Sequence, residues 1–183
     1  MVKVTDNFKK WYVLIGSIAI HFCIGVPFLF GNLLTYIVSY MHYRGFYNAS
    51  NIGDENWIVS PYPAGLAISS TIAGSMRQKV GVRFTLLISN LVFSAGYFLT
   101  YISLEHSLWL PILTYGFICG LGTGAAYVTT IDICSKYFRN HVSTITSILI
   151  AGFSCGAAVF NQVVSFYVNP DNHTPDVHLG SIK

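Results

Sequence analysis

The chain has 183 residues, 53% of them hydrophobic and 9% charged, with a formal net charge of +3. A typical soluble domain carries about 25% charged residues, and a soluble domain of this length has too little interior to hide so much apolar surface. Composition therefore excludes an ordinary soluble domain, and the small net charge gives no sign of nucleic-acid binding; an integral membrane protein with the lipid bilayer as partner is expected.

A membrane-crossing helix needs about 20 mostly apolar residues, and five stretches qualify. The first covers residues 11–40. At 1.5 Å per residue it is roughly 45 Å long, more than the hydrocarbon core, so it must tilt, bend or protrude. Pro27 offers the place to bend. It is too long for a signal-peptide core and is read as a retained span. The second stretch, 57–76, holds Pro61, Pro63 and several Ser and Thr, and is the least apolar. The others cover 84–104, 108–131 and 144–168, and residues 169–183 form a polar tail expected to be disordered. Strands of a β-barrel would be about ten residues long and would alternate. These runs do neither, so the expected class is all-α.

Orientation follows from Lys and Arg. With the N-terminus in the cytoplasm, Lys3, Lys9, Lys10, Arg77, Lys79, Arg83, Lys136 and Arg139 lie inside, and only Arg44 and Lys183 lie outside. Two glycosylation sequons, at Asn48 and Asn172, fall on that outer side. With five spans the C-terminus is expected to be extracellular or lumenal.

Four cysteines, Cys23, Cys119, Cys134 and Cys155, lie in or beside apolar runs with no CxxC spacing. They read as apolar fillers rather than a metal site or disulfide framework. The fourth span carries Gly116, Gly120 and Gly124 at steps of four, with Gly122 beside them. Small residues at this spacing allow close helix packing, or line a path where helices slide. In the fifth span Ser147, Ala151, Ser154, Ala158, Asn161 and Ser165 form one small or polar stripe. Leu149, Phe153, Phe160, Val163 and Tyr167 are assigned to an opposite, lipid-facing side, and the stripe suits either a protein interface or a water-filled cavity.

The first span has a stripe of its own: Ser17, His21, Gly25, Phe28, Asn32, Thr35 and Ser39. His21 is the only ionisable group in the middle half of any span. Such groups are costly in lipid and face the bundle interior or a pathway. His21 could bind a substrate, carry a proton, or serve as a hydrogen-bonded structural residue. Asn32, Asn161, Tyr115 and Tyr127 add candidate cavity polarity. An enzyme is not expected. No intramembrane carboxylate pair exists, and His21 and Cys23, two residues apart, do not share a helix face. No phosphate-binding glycine loop occurs either. No metal and no cofactor is implied.

The segment "AGSMRQKVGVRF" (73–84) joins the second and third spans. Allowing for helix ends, it reads as a turn of about six residues, which makes the two helices antiparallel neighbours. Its residues resemble the signature between the second and third helices of the major facilitator superfamily: Gly74, Lys79, Gly81 and Arg83 match. Gln78 stands at the family's acidic position and Val82 at one of its basic positions. The resemblance implies a cytoplasmic gate held by charge pairs, in which Gln78 cannot form an ion pair. It also places Asp132 in that charge cluster, paired with Arg83 or Arg77.

The stretch from Tyr115 to Phe160 is similar to spans four and five of the branch containing oxalate/formate antiporters and monocarboxylate transporters. Tyr115, Gly120, Gly122, Gly124, Ala126, Tyr127, Lys136, Tyr137, Phe138, Gly152 and Gly156 carry that similarity. The family is built from two six-helix halves with substrate between them. Residues 1–168 resemble only the first five helices of the first half. The resemblance implies secondary active transport of a small organic anion by alternating access. His21, Asn32, Tyr127 and Asn161 would then lie near a midplane cavity. The short chain is expected to be a truncated product of a longer transporter. The alternative is a non-transporting membrane protein that acts as a binding or regulatory partner of another chain.

Overall fold

A computed structural model describes residues 4–43, 57–106 and 109–168. The sequons at Asn48 and Asn172 and the polar tail lie outside these residues, as do the side chains of Thr35 and Ser39. The described chain is helical throughout. The first rod is α1 (Val4–Ile24), a 3₁₀ turn (Val26–Leu29) and α2 (Phe30–Tyr43). Pro27 has no N–H for the α ladder, and the chain tightens to 3₁₀ there. The expected bend is therefore a single helical turn.

Next comes α3 (Tyr62–Val80), which starts later than the apolar run does. Residues 57–58 are 3₁₀ and 59–61 a turn instead, because Pro61 and Pro63 set a helix start rather than an interior. At its other end α3 runs on to Val80, and α4 (Val82–Leu104) begins two residues later. Gly81 alone makes the turn, with φ 85° and ψ 162°, a region essentially reserved for glycine. The turn is thus one residue, not about six, because glycine reverses the chain without helix-end slack.

A second rod runs from α5 (Trp109–Pro111) through a π-helical stretch (Ile112–Ile118) into α6 (Cys119–Tyr137). It extends past Ile131 to Tyr137. Phe138 breaks it, a short 3₁₀ turn (Arg139–His141) follows, and α7 (Val142–Val168) closes the described chain. Among the described residues, four stretches are long and apolar enough to cross a membrane: Phe8–Leu34, Val82–Leu104, Trp109–Tyr137 and Arg139–Val168. The fifth long helix, α3, is more polar, with Arg77, Gln78 and Lys79 in its last turn.

The second rod is the centre of the bundle. α6 packs on α3, α4, α1 and α7, and its largest interface is with α3. Ten of its nineteen residues are buried, all of them Gly, Ala, Thr or Cys. Gly116, Gly120 and Gly124 abut Ile58, Tyr62 and Leu66, while Gly122 abuts Phe93 of α4. Gly65 of α3 and Gly96 of α4 return the contact against Phe117 and Cys119. In lipid the gain comes from such close packing, because no hydrophobic force drives helices together. These glycines therefore pack helices against helices.

Another glycine seam joins α1 to α7, with Gly25 against Phe153, Gly152 against Ile18 and Gly156 against Phe22. This seam corrects one expectation. Leu149 is buried and Phe153 packs against His21 and Tyr127, so both face inward rather than toward lipid. Ser147, Ala151, Ser154 and Ala158 are exposed, and so are Val163 and Tyr167 of the side expected to face lipid. Close approach at Gly152 and Gly156 fixes which face of α7 meets α1, and the small-residue stripe is left outward.

Candidate functional site

The α1–α6–α7 seam holds a polar cluster in apolar surroundings. His21 has no exposed surface. Its Nδ1 lies 3.0 Å from the Ser17 carbonyl oxygen and 3.3 Å from Thr130 Oγ1. Nε2 has no hydrogen-bond partner among the described residues. One turn below, the Cys134 thiol lies 3.2 Å from Ser17 Oγ. The rings of Tyr127 and Phe153 cover the imidazole, with centroids 5.0 and 6.4 Å away. A buried nitrogen without a partner is costly unless something meets it.

Asn32 and Asn161 meet farther along the seam, where Asn32 Nδ2 donates to Asn161 Oδ1 at 3.1 Å. With Phe28, Ala157 and Ala158 they line an open recess of about 370 Å³. Each amide keeps hydrogen-bonding capacity that the pair does not use. Eleven residues separate His21 from Asn32, roughly 16 Å along a helix. The rings of Phe28 and Phe153, 5.2 Å apart, stand between the two places.

Tyr115 lies elsewhere. Its hydroxyl donates to the Pro27 carbonyl at 2.7 Å, an acceptor at the break in the first rod. Its ring packs on Phe30 and Tyr97. It borders a second, mostly apolar cavity of about 290 Å³, which Phe28 also lines. The structure thus brings His21 together with Tyr127, and Asn32 with Asn161, and sets Tyr115 apart as a brace for the bend. Thr130 and Ser17 are functional candidates of the His21 cluster that sequence spacing did not single out as partners. Thr130 falls among residues that all read as helix packing.

Most of the described charged residues gather at one end of the bundle, Glu105 at the far end of α4 excepted. Asp132 Oδ2 lies 2.8 Å from Lys136 Nζ and 3.6 Å from Arg77 Nε. Arg77, not Arg83, is therefore the partner from the α3–α4 hairpin. Lys136 joins it at the (i, i+4) spacing that favours such pairs. Lys10 Nζ sits 5.8 Å from the Phe138 ring, so the start of α1 shares this end. Gln78, Lys79 and Arg83 are exposed, Gly74 sits beside Arg77, and Gly81 makes the turn.

The family model described as Major Facilitator Superfamily matches residues 54–168. The chain belongs to that family, as an all-α membrane protein. Among curated relatives it is 27% identical to "Uncharacterized MFS-type transporter YhjX" of Escherichia coli, over 84% of this chain and 36% of that protein. It is 21% identical to "Apicoplast pyruvate carrier 1" of Toxoplasma gondii, over 93% of this chain and 38% of the carrier. "Monocarboxylate transporter 9" of Rattus norvegicus is 24% identical over 90% of this chain and 32% of its own length. The chain therefore spans little more than a third of these relatives. No solved structure gives a significant match.

Proposed function

We propose that the chain supplies part of a secondary transporter that moves a small organic anion, of mono- or dicarboxylate type, by alternating access. The observation that carries this reading is the Asn32–Asn161 pair on the wall of an open recess. Its spare amide N–H groups suit a carboxylate oxygen. His21 lies deeper in the same seam, with Nε2 free to meet a proton or a substrate oxygen once the rings in front of it move. Relatives named as a pyruvate carrier and a monocarboxylate transporter support the substrate class. In this reading the basic end, with its Arg77–Asp132–Lys136 cluster, serves as the cytoplasmic gate and the N-terminus lies inside. The excess of Lys and Arg at that end supports the orientation.

A second reading is favoured by one observation, the outward stripe of small residues on α7. There the chain binds another membrane protein without moving a solute. Uptake of labelled pyruvate and oxalate into proteoliposomes separates the two. It is measured with this chain and with the longest product its gene encodes. Carboxylate uptake above empty liposomes is expected from the longer product. His21→Ala lowers it at least tenfold. His21→Asn, whose amide can keep the Ser17 contact, lowers it similarly while preserving thermal stability. Absence of carboxylate uptake overturns the transport reading. Full uptake by both His21 variants removes His21 from it.

A further inference from the structure

Two unlike spaces meet at Phe28. One is the open recess that holds the Asn32–Asn161 pair. The other is the mostly apolar cavity of about 290 Å³ beside the break in the first rod. Phe28 lines both. Its ring lies 5.2 Å from Phe153 of α7, the helix that forms the far wall of the recess. It also lies 6.2 Å from Tyr62 of α3, on the far wall of the cavity. The backbone repeats this adjacency. Gly31 lines the cavity and Asn32 lines the recess, and consecutive Cα atoms are about 3.8 Å apart.

The cavity asks for no hydrogen bond. The Tyr115 hydroxyl is spent on the Pro27 carbonyl. The Tyr62 hydroxyl is itself buried, so the ring and not the oxygen meets the space. Phe30, Leu34 and Val59 add only hydrocarbon. A Cβ at Gly31 would meet nothing within 4 Å, so the absent side chain leaves the space open beside the amides. An apolar cavity of about 150 Å³ is enough to take a benzene ring.

We infer that recess and cavity together take a monocarboxylate with an apolar, ring-sized body. Its carboxylate sits on the Asn32–Asn161 amides, and its body crosses the Phe28 ring into the space beside Gly31. The inference rests on the transport reading above and names its substrate class. A dicarboxylate of this length would bring its second charge to a place with no side-chain donor, which is costly. Pyruvate would use the amides and leave the cavity empty. A lipid tail would fill the cavity and leave the amides unused. Burial of a phenyl-sized body favours the larger acid about tenfold or more.

The probe is tritiated phenylpyruvate. Its binding to the longest product the gene encodes is measured in detergent by scintillation proximity. Unlabelled pyruvate, succinate and 3-phenylpropanol serve as competitors. Phenylpyruvate is expected to bind about tenfold or more tightly than pyruvate. Succinate, with its second charge, and 3-phenylpropanol, with no carboxylate, compete weakly. Gly31→Leu fills the cavity and removes the preference for phenylpyruvate over pyruvate. Asn161→Ala leaves the cavity in place and weakens both acids. Equal affinity for the two acids, or binding of neither, overturns the inference. Competition by 3-phenylpropanol as strong as by phenylpyruvate overturns it as well, since the cavity then takes any apolar molecule. A preference that survives in Gly31→Leu removes the cavity from the site. Uptake of labelled pyruvate into proteoliposomes separates this inference from the transport reading. With uptake but no preference, the inference fails and transport stands. With tight phenylpyruvate binding but no uptake of either acid, the site stands and transport fails. The wild-type affinities decide the matter even if Gly31→Leu does not fold.

Discussion

Gly120→Ala measures how tightly the bundle is closed at its centre. A Cβ at 120 would lie 2.5 Å from the Tyr62 carbonyl oxygen and 3.2 Å from Leu66 N. The first distance falls about 0.9 Å short of the 3.4 Å at which ordinary contact begins. Both obstacles are backbone of α3, so no side chain can turn aside and the helices themselves must part. One turn to either side, Gly116 touches Ile58 and Pro61 just before α3 and Gly124 touches Leu66 within it, and a parting at 120 loosens both. Overpacking of this kind costs about 1–3 kcal/mol. Alanine recovers about 0.8–1.0 kcal/mol of helix propensity, which offsets part of it. The control is Gly16→Ala in α1, where nothing lies within 4 Å of the new carbon. That variant gains the propensity without the clash. Thermal unfolding in detergent should lower the midpoint for Gly120→Ala and raise it for Gly16→Ala. If both shift the same way by similar amounts, close contact of α3 with α6 is not what the glycines provide.

Two further outcomes follow from single positions. Gly81→Ala places a side chain at φ 85°, ψ 162°, and should cost about 1–3 kcal/mol by thermal unfolding, since only glycine occupies that region freely. A midpoint equal to wild type means the turn relaxes elsewhere. Asp132→Asn removes the shared acid from Arg77 and Lys136. Because the Lys136 side chain is 64% exposed, that pair contributes under about 1 kcal/mol, but Arg77, only 16% exposed, loses its acid as well, so the midpoint should fall. As a restraint on opening at the basic end, its loss should raise labelling of the buried Cys134 thiol by a membrane-permeant reagent, read by peptide mass spectrometry. Unchanged labelling removes the restraint.

The helices were legible because each apolar run is far longer than a strand needs, and because lipid leaves the backbone few alternatives. The first rod's bend was legible in Pro27, and the hairpin in its charge and glycines. Helix starts were harder. Trp57 and Ile58 are as apolar as any span, and only Pro61 and Pro63 reveal that they precede the helix. The π stretch at Ile112–Ile118 left no mark in the pattern. Partners were the least legible. Two stripes on different helices named Asn32 and Asn161 separately, but only the closeness of α1 and α7 at Gly25 and Gly156 brings these two amides together. The face of α7 was misjudged for a related reason. Leu149 and Phe153 look like lipid-facing residues until glycines beside them set the contact with α1.

The two nitrogens of His21 separate what the residue does for the fold from what it could do for a solute. Nδ1 faces the Ser17 carbonyl of its own helix and the Thr130 hydroxyl of α6, and so ties α1 to the central rod. Nε2 contributes nothing to that tie, because it has no hydrogen-bond partner among the described residues. A histidine kept only for packing would leave its second nitrogen bonded or near water. Here Tyr127 and Phe153 cover the ring, while Phe28, 62% exposed, stands in contact with Phe153 on the recess side. On the transport reading proposed above, a solute in the recess would meet the asparagines first and His21 only after these rings turn. The amides would then be a place of first contact and His21 a group reached in a second, more enclosed state.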